Sequence, residues 1–316
     1  MRILLVKTSS LGDVIHNLPV IADLRKAYPH ALIDWVVEEG FADVPRLHPF
    51  VHRVMPVAIR RWRKTPLAPA TWREVRTFLR TLRRTTYDLI LDTQGLLKSA
   101  LLTRLALGLR CGYAADSARE PLAARCYQRR FSVAKAQHAV ARNRQLVAQA
   151  AGYVLHGAPD YGLAVPPVPT FATISDSVVL LTATSRDDKL WPEERWIALG
   201  QALHAQGLRC CLPAGIAPAE QARAARLARA IPAASALPPQ GLRELAGLMA
   251  GARLVIGVDT GLVHLAAAVR RPVIALFCAS DPTLTGVLAT QPVCNLGSRG
   301  KPPNVAEVLA AVQALL

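Results

Sequence analysis

Two spacings of apolar residues alternate along the chain. Short runs rich in Ile, Leu and Val occupy residues 2–6, 31–37 and 87–92, and again 178–181, 208–212, 254–258 and 272–277. Each is bounded by turn residues, as buried parallel strands are. A mixed run at 51–57 reads as a short strand, and Cys111-Gly112-Tyr113 begins another. Between these runs the apolar residues fall at helical spacing. Val14, Leu18, Ile21 and Ala22 share one face. Residues 72–84 predict an amphipathic basic helix, a second helix leaves the Thr93-Gln94-Gly95 turn and runs to about residue 107, and 137–151 predict a long helix stopped by Gly152. An Arg-rich helical stretch follows Pro121. The second half repeats the scheme, with helices at 193–206, 219–230, 242–250 and 304–316 and one beginning near Gly261. Strand, turn and helix in alternation predict an α/β protein with parallel, doubly wound sheets. Residues 159–177 carry Pro159, Pro166, Pro167 and Pro169 without a period and read as a linker. The expected domains are 1–165 and 166–316, with the last helix a candidate to pack back on the N-terminal domain. Two such domains would put their carboxyl-end loops across one cleft.

The turns carry the candidate chemistry. At 254–268 a strand delivers the chain through Asp259-Thr260-Gly261 into a helix. Free N–H groups and the positive end of the helix dipole point at one place there, which suits an anion. The plainer reading is that Asp259 or Thr260 caps the helix. Near the N-terminus, Lys7-Thr8-Ser9-Ser10-Leu11-Gly12-Asp13 makes a second strand-to-helix turn, rich in hydroxyls. Asp13 is either a partner for the helix dipole or a carboxylate free to accept a proton. The polar loop 182–192 adds Thr184, Ser185 and Lys189. With Thr260 and Gly261 these form a candidate diphosphate cradle in which Lys189 replaces a metal ion. The chain has no GxGxxG, P-loop or GxSxG. Asp187 and Asp188 are adjacent to each other and to Lys189, so they are not a DxD metal site, and the eight His show no ligand spacing.

Composition narrows the picture. The 316 residues are 52% hydrophobic, enough for two full cores, with only 5% aromatics. The six cysteines form no CxxC pair and read as reduced, mostly buried cytoplasmic thiols. No signal peptide begins the chain, and no run of eighteen apolar residues would span a membrane. The net charge of +16 is one-sided. Residues 1–150 hold 25 Lys and Arg against 11 Asp and Glu, while 151–316 hold 13 against 11. An Arg-favouring genome would bias both halves alike, so the first half is read as facing an anionic partner. The segment Ala58-Ile59-Arg60-Arg61-Trp62-Arg63-Lys64 concentrates that charge around a Trp and reads as an exposed loop for phosphates or carboxylates.

Six stretches in order carry a resemblance. They are residues 7–16 (Lys-Thr-Ser-Ser-Leu-Gly-Asp-Val-Ile-His), 34–41 (Asp-Trp-Val-Val-Glu-Glu-Gly-Phe), 57–64 (Val-Ala-Ile-Arg-Arg-Trp-Arg-Lys), 118–123 (Ala-Arg-Glu-Pro-Leu-Ala), 186–194 (Arg-Asp-Asp-Lys-Leu-Trp-Pro-Glu-Glu) and 258–265 (Val-Asp-Thr-Gly-Leu-Val-His-Leu). They resemble the lipopolysaccharide heptosyltransferase I family across nearly the whole chain. The resemblance implies a GT-B glycosyltransferase with two Rossmann-like domains facing a central cleft. It implies inverting, metal-independent transfer of L-glycero-D-manno-heptose from ADP-heptose to the inner Kdo of Kdo2-lipid A, in lipopolysaccharide inner-core synthesis. By motif, it makes Asp13 the general base and Lys189, with Thr184 and Ser185, the diphosphate clamp. Asp259, Thr260, Gly261 and His264 become donor contacts, and Glu220 a ribose or adenosine contact. Ser10, Arg60, Arg61, Arg63, Lys64 and Arg119 become the acceptor's anion sites. Ser185 stands where relatives carry Thr, which keeps the hydroxyl, and Gln240 stands where a relative carries Met. No cofactor and no metal are expected. The partners are ADP-heptose, Kdo2-lipid A and the anionic inner leaflet, with the protein peripheral on the cytoplasmic face of the bacterial inner membrane.

Three alternatives stay distinct from this reading. A nucleotide-sugar epimerase or hydrolase would consume donor without acceptor. A nucleic-acid binder would use the basic half, although no stacking pattern of aromatics accompanies it, and nucleic acid is not expected as a partner. Heptosyltransferase II would use the same donor on a different acceptor.

Overall fold

The computed structural model describes residues 1–166 and 177–316; Pro167 and Pro169 of the expected linker lie outside them. The chain divides into two compact units, Met1–Gly162 and Leu163–Leu316. The first unit runs β1 (Arg2–Val6), α1 (Leu11–Ile15), α2 (Leu18–Ala27), β2 (Leu32–Glu38), α3 (Asp43–Arg46), β3 (Val51–Val57), α4 (Ile59–Trp62), α5 (Pro69–Arg83), β4 (Thr86–Asp92), α6 (Leu97–Leu105), β5 (Leu107–Tyr113), β6 (Arg129–Phe131) and α7 (Ala139–Ala151). The second runs β7 (Val178–Leu181), α8 (Glu193–Ala205), β8 (Cys210–Pro213), α9 (Pro218–Ala230), β9 (Ser235–Leu237), α10 (Leu242–Gly251), β10 (Leu254–Val258), α11 (Gly261–Ala268), β11 (Val273–Phe277), β12 (Val293–Gly297) and α12 (Val305–Leu315).

Each unit holds one six-stranded parallel sheet. Their orders are β3-β2-β1-β4-β5-β6 and β9-β8-β7-β10-β11-β12, the same doubly wound order twice. The central strands explain it. Ile3 to Val6 and all of β10 are fully buried, so both faces need helices over them. In the first unit, Leu4, Val6, Val36, Met55, Phe78, Leu82, Ile90 and Leu102 pack as one cluster under α5 and α6. In the second, Trp191 and Trp196 meet edge to face at 5.0 Å inside a cluster that reaches Leu180, Ile256, Leu276 and Val312. The terminal helix α12 packs against α8, β11 and β12 of its own unit.

The order has one functional consequence. Where a doubly wound sheet reverses direction, adjacent connections leave on opposite faces and open a crevice at the carboxyl ends of two strands. Those pairs are β1 and β4 in the first unit, and β7 and β10 in the second. The opposite, amino-terminal edge carries a different polar cluster. Asp34 of β2 accepts hydrogen bonds from Arg53 of β3 and Tyr87 of β4, and its other oxygen meets His52 Nδ1 at 2.9 Å. That network ties strands together rather than lining the crevice.

Three strands escape the sequence pattern. β6, β9 and β12 end the sheets and are half exposed, so they present no apolar run. The helix expected to reach residue 107 stops at Leu105, and β5 begins at Leu107. Gly108 makes that early start possible: its φ is +145°, and a Cβ there would lie 2.1 Å from the Tyr87 carbonyl oxygen. The helix expected after Pro121 is instead a 3₁₀ segment, Pro121–Cys126.

Candidate active site

The loop after β1 and the loop after β4 meet at the first reversal point. Gln94 Oε1 accepts from both the amide and the hydroxyl of Thr8, at 2.7 and 2.8 Å. Trp35 Nε1 donates to the Lys7 carbonyl at 3.1 Å. The chain then enters α1, with Ser10 as its N-cap and Asp13 three residues on. Asp13 Oδ2 accepts from the Ser10 amide at 3.0 Å and the Ser10 hydroxyl at 3.1 Å. Oδ1 accepts from Arg119 Nη2 at 2.7 Å. The plain role and the chemical role therefore coincide: Asp13 closes the capping box and presents an ionised carboxylate. Burial alone would raise its pKa, but the charges of Lys7 and Arg119 and the Ser10 amide outweigh burial and bring it down to about 2.

Lys7 stands behind Asp13. It is buried, and its ammonium donates to the Thr93 carbonyl at 2.8 Å. Burial lowers its pKa to about 8, with Arg119 acting the same way and Asp13 opposing. A small cavity of about 20 Å³, room for one water, lies among Lys7, Asp13, Gln94, Arg119 and Asn143. Lys7 and Gln94 were not singled out from the sequence. A lysine at the carboxyl end of a central strand, against a hydroxyl-rich turn, was the available signal.

The basic segment is a short helix rather than a loop. Arg61 is fully engaged: its guanidinium grips Glu39 at 3.0–3.1 Å and Glu74 at 2.8–3.0 Å. Trp62 Nε1 also donates to Glu74, at 2.8 Å, so Arg61 and Trp62 brace α4 on α5. Arg60 differs. Its amide donates to Glu38 Oε1 at 2.9 Å, while its guanidinium stacks 5.3 Å from the Phe41 ring centre. Arg63 and Lys64 are exposed. Lys64, Arg60 and Arg61 line a groove of about 350 Å³ with Glu38, Glu39, Gly40 and Phe41. Of the expected acceptor set, Ser10 and Arg119 converge on Asp13, Arg60 and Lys64 face this groove, and Arg61 is neutralised within the fold.

At the second reversal point, Asp259 follows β10. Its Oδ2 accepts from Lys189 Nζ at 2.5 Å and from the Ser280 hydroxyl. The Lys189 and Asp259 side chains are only 20% and 13% exposed. Thr184, leaving β7, reaches the Asp259 carbonyl with its hydroxyl at 3.3 Å, and Ser185 is exposed beside it. Thr260 is the N-cap of α11 but makes no side-chain cap bond. The simple capping role weighed from the sequence is therefore not taken up, and the first amides of α11 keep their polarity. His264 is buried one turn into α11. Glu220 sits in the first turn of α9, with its carboxylate so close to Gly215 that a Cβ there would lie 1.7 Å from Oε2. Ser280 was missed because its loop after β11 carries no pattern of its own. Among the described residues, no group of three His, Cys, Asp or Glu could hold a metal ion. Among them, too, no helix is long and apolar enough to cross a membrane.

Comparison with known proteins gives this arrangement its context. The model of glycosyltransferase family 9 (heptosyltransferase) matches residues 75–311. Lipopolysaccharide heptosyltransferase 1 of Escherichia coli strain K12 is 47% identical over 291 residues, covering 90% of each chain. The solved structure of E. coli heptosyltransferase WaaC with ADP matches with a TM-score of 0.93 at 42% identity, covering all of both chains. That of the same protein with ADP-2-deoxy-2-fluoro heptose matches with a TM-score of 0.89 at 42% identity, covering 99% of each. Two doubly wound α/β units of GT-B type agree with that family. The chain belongs to glycosyltransferase family 9, the heptosyltransferases.

Proposed function

We propose that the protein transfers L-glycero-D-manno-heptose from ADP-heptose to the inner Kdo of Kdo2-lipid A, with inversion and without a metal ion. An acceptor hydroxyl attacks the anomeric carbon, its proton passes to Asp13, and ADP departs. The observation that carries this reading is Asp13: an ionised carboxylate at the reversal point of the unit that also holds the basic excess. The name of its E. coli relative and the ADP-heptose analogue in the matched WaaC structure support the donor.

The resting carboxylate is a weak base, since its pKa is about 2. An acid sugar would change that. Its carboxylate competes with Asp13 for Arg119, and as Arg119 turns toward the acceptor the basicity of Asp13 rises. The base strengthens only when the acceptor is in place. Lys189 follows the same logic with opposite charge. Held by Asp259 in the free protein, it turns to the diphosphate of the donor, where it and the first amides of α11 offset the charge growing on ADP. Thr184, Ser185, Thr260 and Gly261 complete the diphosphate contacts, Asp259 and His264 are further donor contacts, and Glu220 takes the ribose or adenosine. The acceptor's anions fall to Arg60, Arg63, Lys64 and Arg119. Basic residues near an anionic surface contribute about 1 kcal/mol each, which supports a peripheral position on the cytoplasmic leaflet of the inner membrane.

Separating binding from turnover tests the assignment. Asp13→Ala should lower turnover by about 10²–10⁴-fold and leave ADP-heptose affinity intact. A loss of donor affinity with turnover preserved would return Asp13 to the capping box alone.

A further inference from the structure

Lys98 occupies a position that the fold does not explain. It lies in the first turn of α6, at the carboxyl end of β4, where the helix dipole opposes a cation. It is partly buried, and its ammonium reaches across to Ser9 in the β1 loop, donating to the hydroxyl at 2.6 Å. No carboxylate comes within ion-pair distance of it among the described residues. The acids near enough to act on its charge are Glu38, Asp13 and Glu120, and each is engaged elsewhere. Glu38 holds the Arg60 amide, Asp13 holds Ser10 and Arg119, and Glu120 accepts from the Leu97 amide at 2.6 Å. Burial and the Arg60 charge lower the pKa of Lys98 further. A surface lysine normally points its charge into water. This one spends it on a single neutral hydroxyl, beside a second cation and one residue from the cap that holds Asp13.

We propose that Lys98 is a further acceptor-binding residue, whose ammonium, backed by Ser9, shares with Arg119 the carboxylate of the sugar-acid acceptor beside the hydroxyl that reacts. This rests on the function proposed above and adds a contact to it. The carboxylate would give Lys98 the charged partner it lacks and offset its repulsion from Arg60. It would also fix the sugar ring against the edge that carries Asp13.

The test compares Lys98→Met with the wild type on two acceptors, the natural sugar acid and the same molecule with that carboxylate reduced to an alcohol. ADP affinity and thermal midpoint report the integrity of each protein. On the natural acceptor, K98M should raise the acceptor KM about ten- to a hundredfold, the range of a charged hydrogen bond. ADP affinity should not move, and Lys98→Arg should recover part of the loss. On the reduced acceptor, wild type and K98M should converge. An equal defect on both acceptors, or none on either, overturns the proposal and leaves the reaction assignment standing. A wild type that releases no ADP in response to the natural acceptor ends both.

Discussion

Both side chains to which the proposal gives the reaction are held by an opposite charge, and the proposed reaction has the substrate displace each partner. Asp13 pairs with Arg119, and Lys189 pairs with Asp259. This makes pH a direct probe of the first pair. With its pKa near 2, against 3.8 for an ordinary aspartate, Asp13 is ionised across the neutral range. Its protonation should put no acid limb on kcat/KM of the wild type above about pH 4, because the free protein sets that profile. Arg119→Gln removes a donor and a positive charge from the carboxylate, so the pKa of Asp13 rises and an acid limb moves to higher pH. An unchanged limb in a folded, ADP-binding variant would detach Arg119 from the base. Lys189→Ala should damage donor KM and kcat together, since the proposed role of Lys189 is to serve the diphosphate before and during departure; an unchanged enzyme would remove it from the mechanism. The sequence singled out Asp13, Lys189 and Asp259 as candidates, because each lies in or beside a polar stretch that follows a buried strand. It could not show that Arg61 is spent on Glu39 and Glu74. Those acids lie 22 and 13 positions away, Glu39 just after β2 and Glu74 in α5, and only tertiary packing brings them to one guanidinium.

The elements most legible in the sequence were those buried on both faces. β1, β7, β10 and β11 carry unbroken apolar runs and β4 holds Leu89-Ile90-Leu91 at its centre, so their existence and parallel arrangement followed from residue type. β6, β9 and β12 were invisible for the converse reason: an edge strand buries little, and main-chain pairing leaves no mark on composition. Close packing between elements also writes itself in glycine. A Cβ at Gly257 would lie 2.7 Å from Leu181 Cβ and from Val263 Cγ1, where β10 meets β7 and α11. Gly257→Ala should therefore cost about 1–3 kcal/mol, lowering the thermal midpoint by about 2–4 °C per kcal/mol for a unit of this size. An unshifted midpoint would show that β10 and α11 are less tightly joined than described. Gly215→Ala tests something else. The neighbour it strikes is the mobile end of Glu220, so the fold can yield while the carboxylate moves away. Raised donor KM with little change in stability is expected; normal donor KM would take Glu220 out of the donor site.

Across the whole molecule the positive charge gathers in the half that the proposal gives to the acceptor. The first 150 residues carry nearly all the positive excess, and the remaining 166 are almost balanced. Exposed charges are screened by salt, with a Debye length of about 10 Å at 0.1 M falling to about 3 Å at 1 M. Raising ionic strength should therefore weaken acceptor KM and binding to vesicles of anionic phospholipid much more than it weakens ADP affinity. Equal losses in all three would mean that the asymmetry has no part in acceptor recognition. In the proposed reaction, departure of ADP is coupled to attack by one particular sugar acid. ADP release from ADP-heptose, measured with and without Kdo2-lipid A in the presence of EDTA, tests it most directly. Release that requires Kdo2-lipid A and is indifferent to EDTA is the predicted result. Release without acceptor would make the protein a hydrolase, and release abolished by EDTA would make the transfer metal-dependent; either result overturns the proposed reaction.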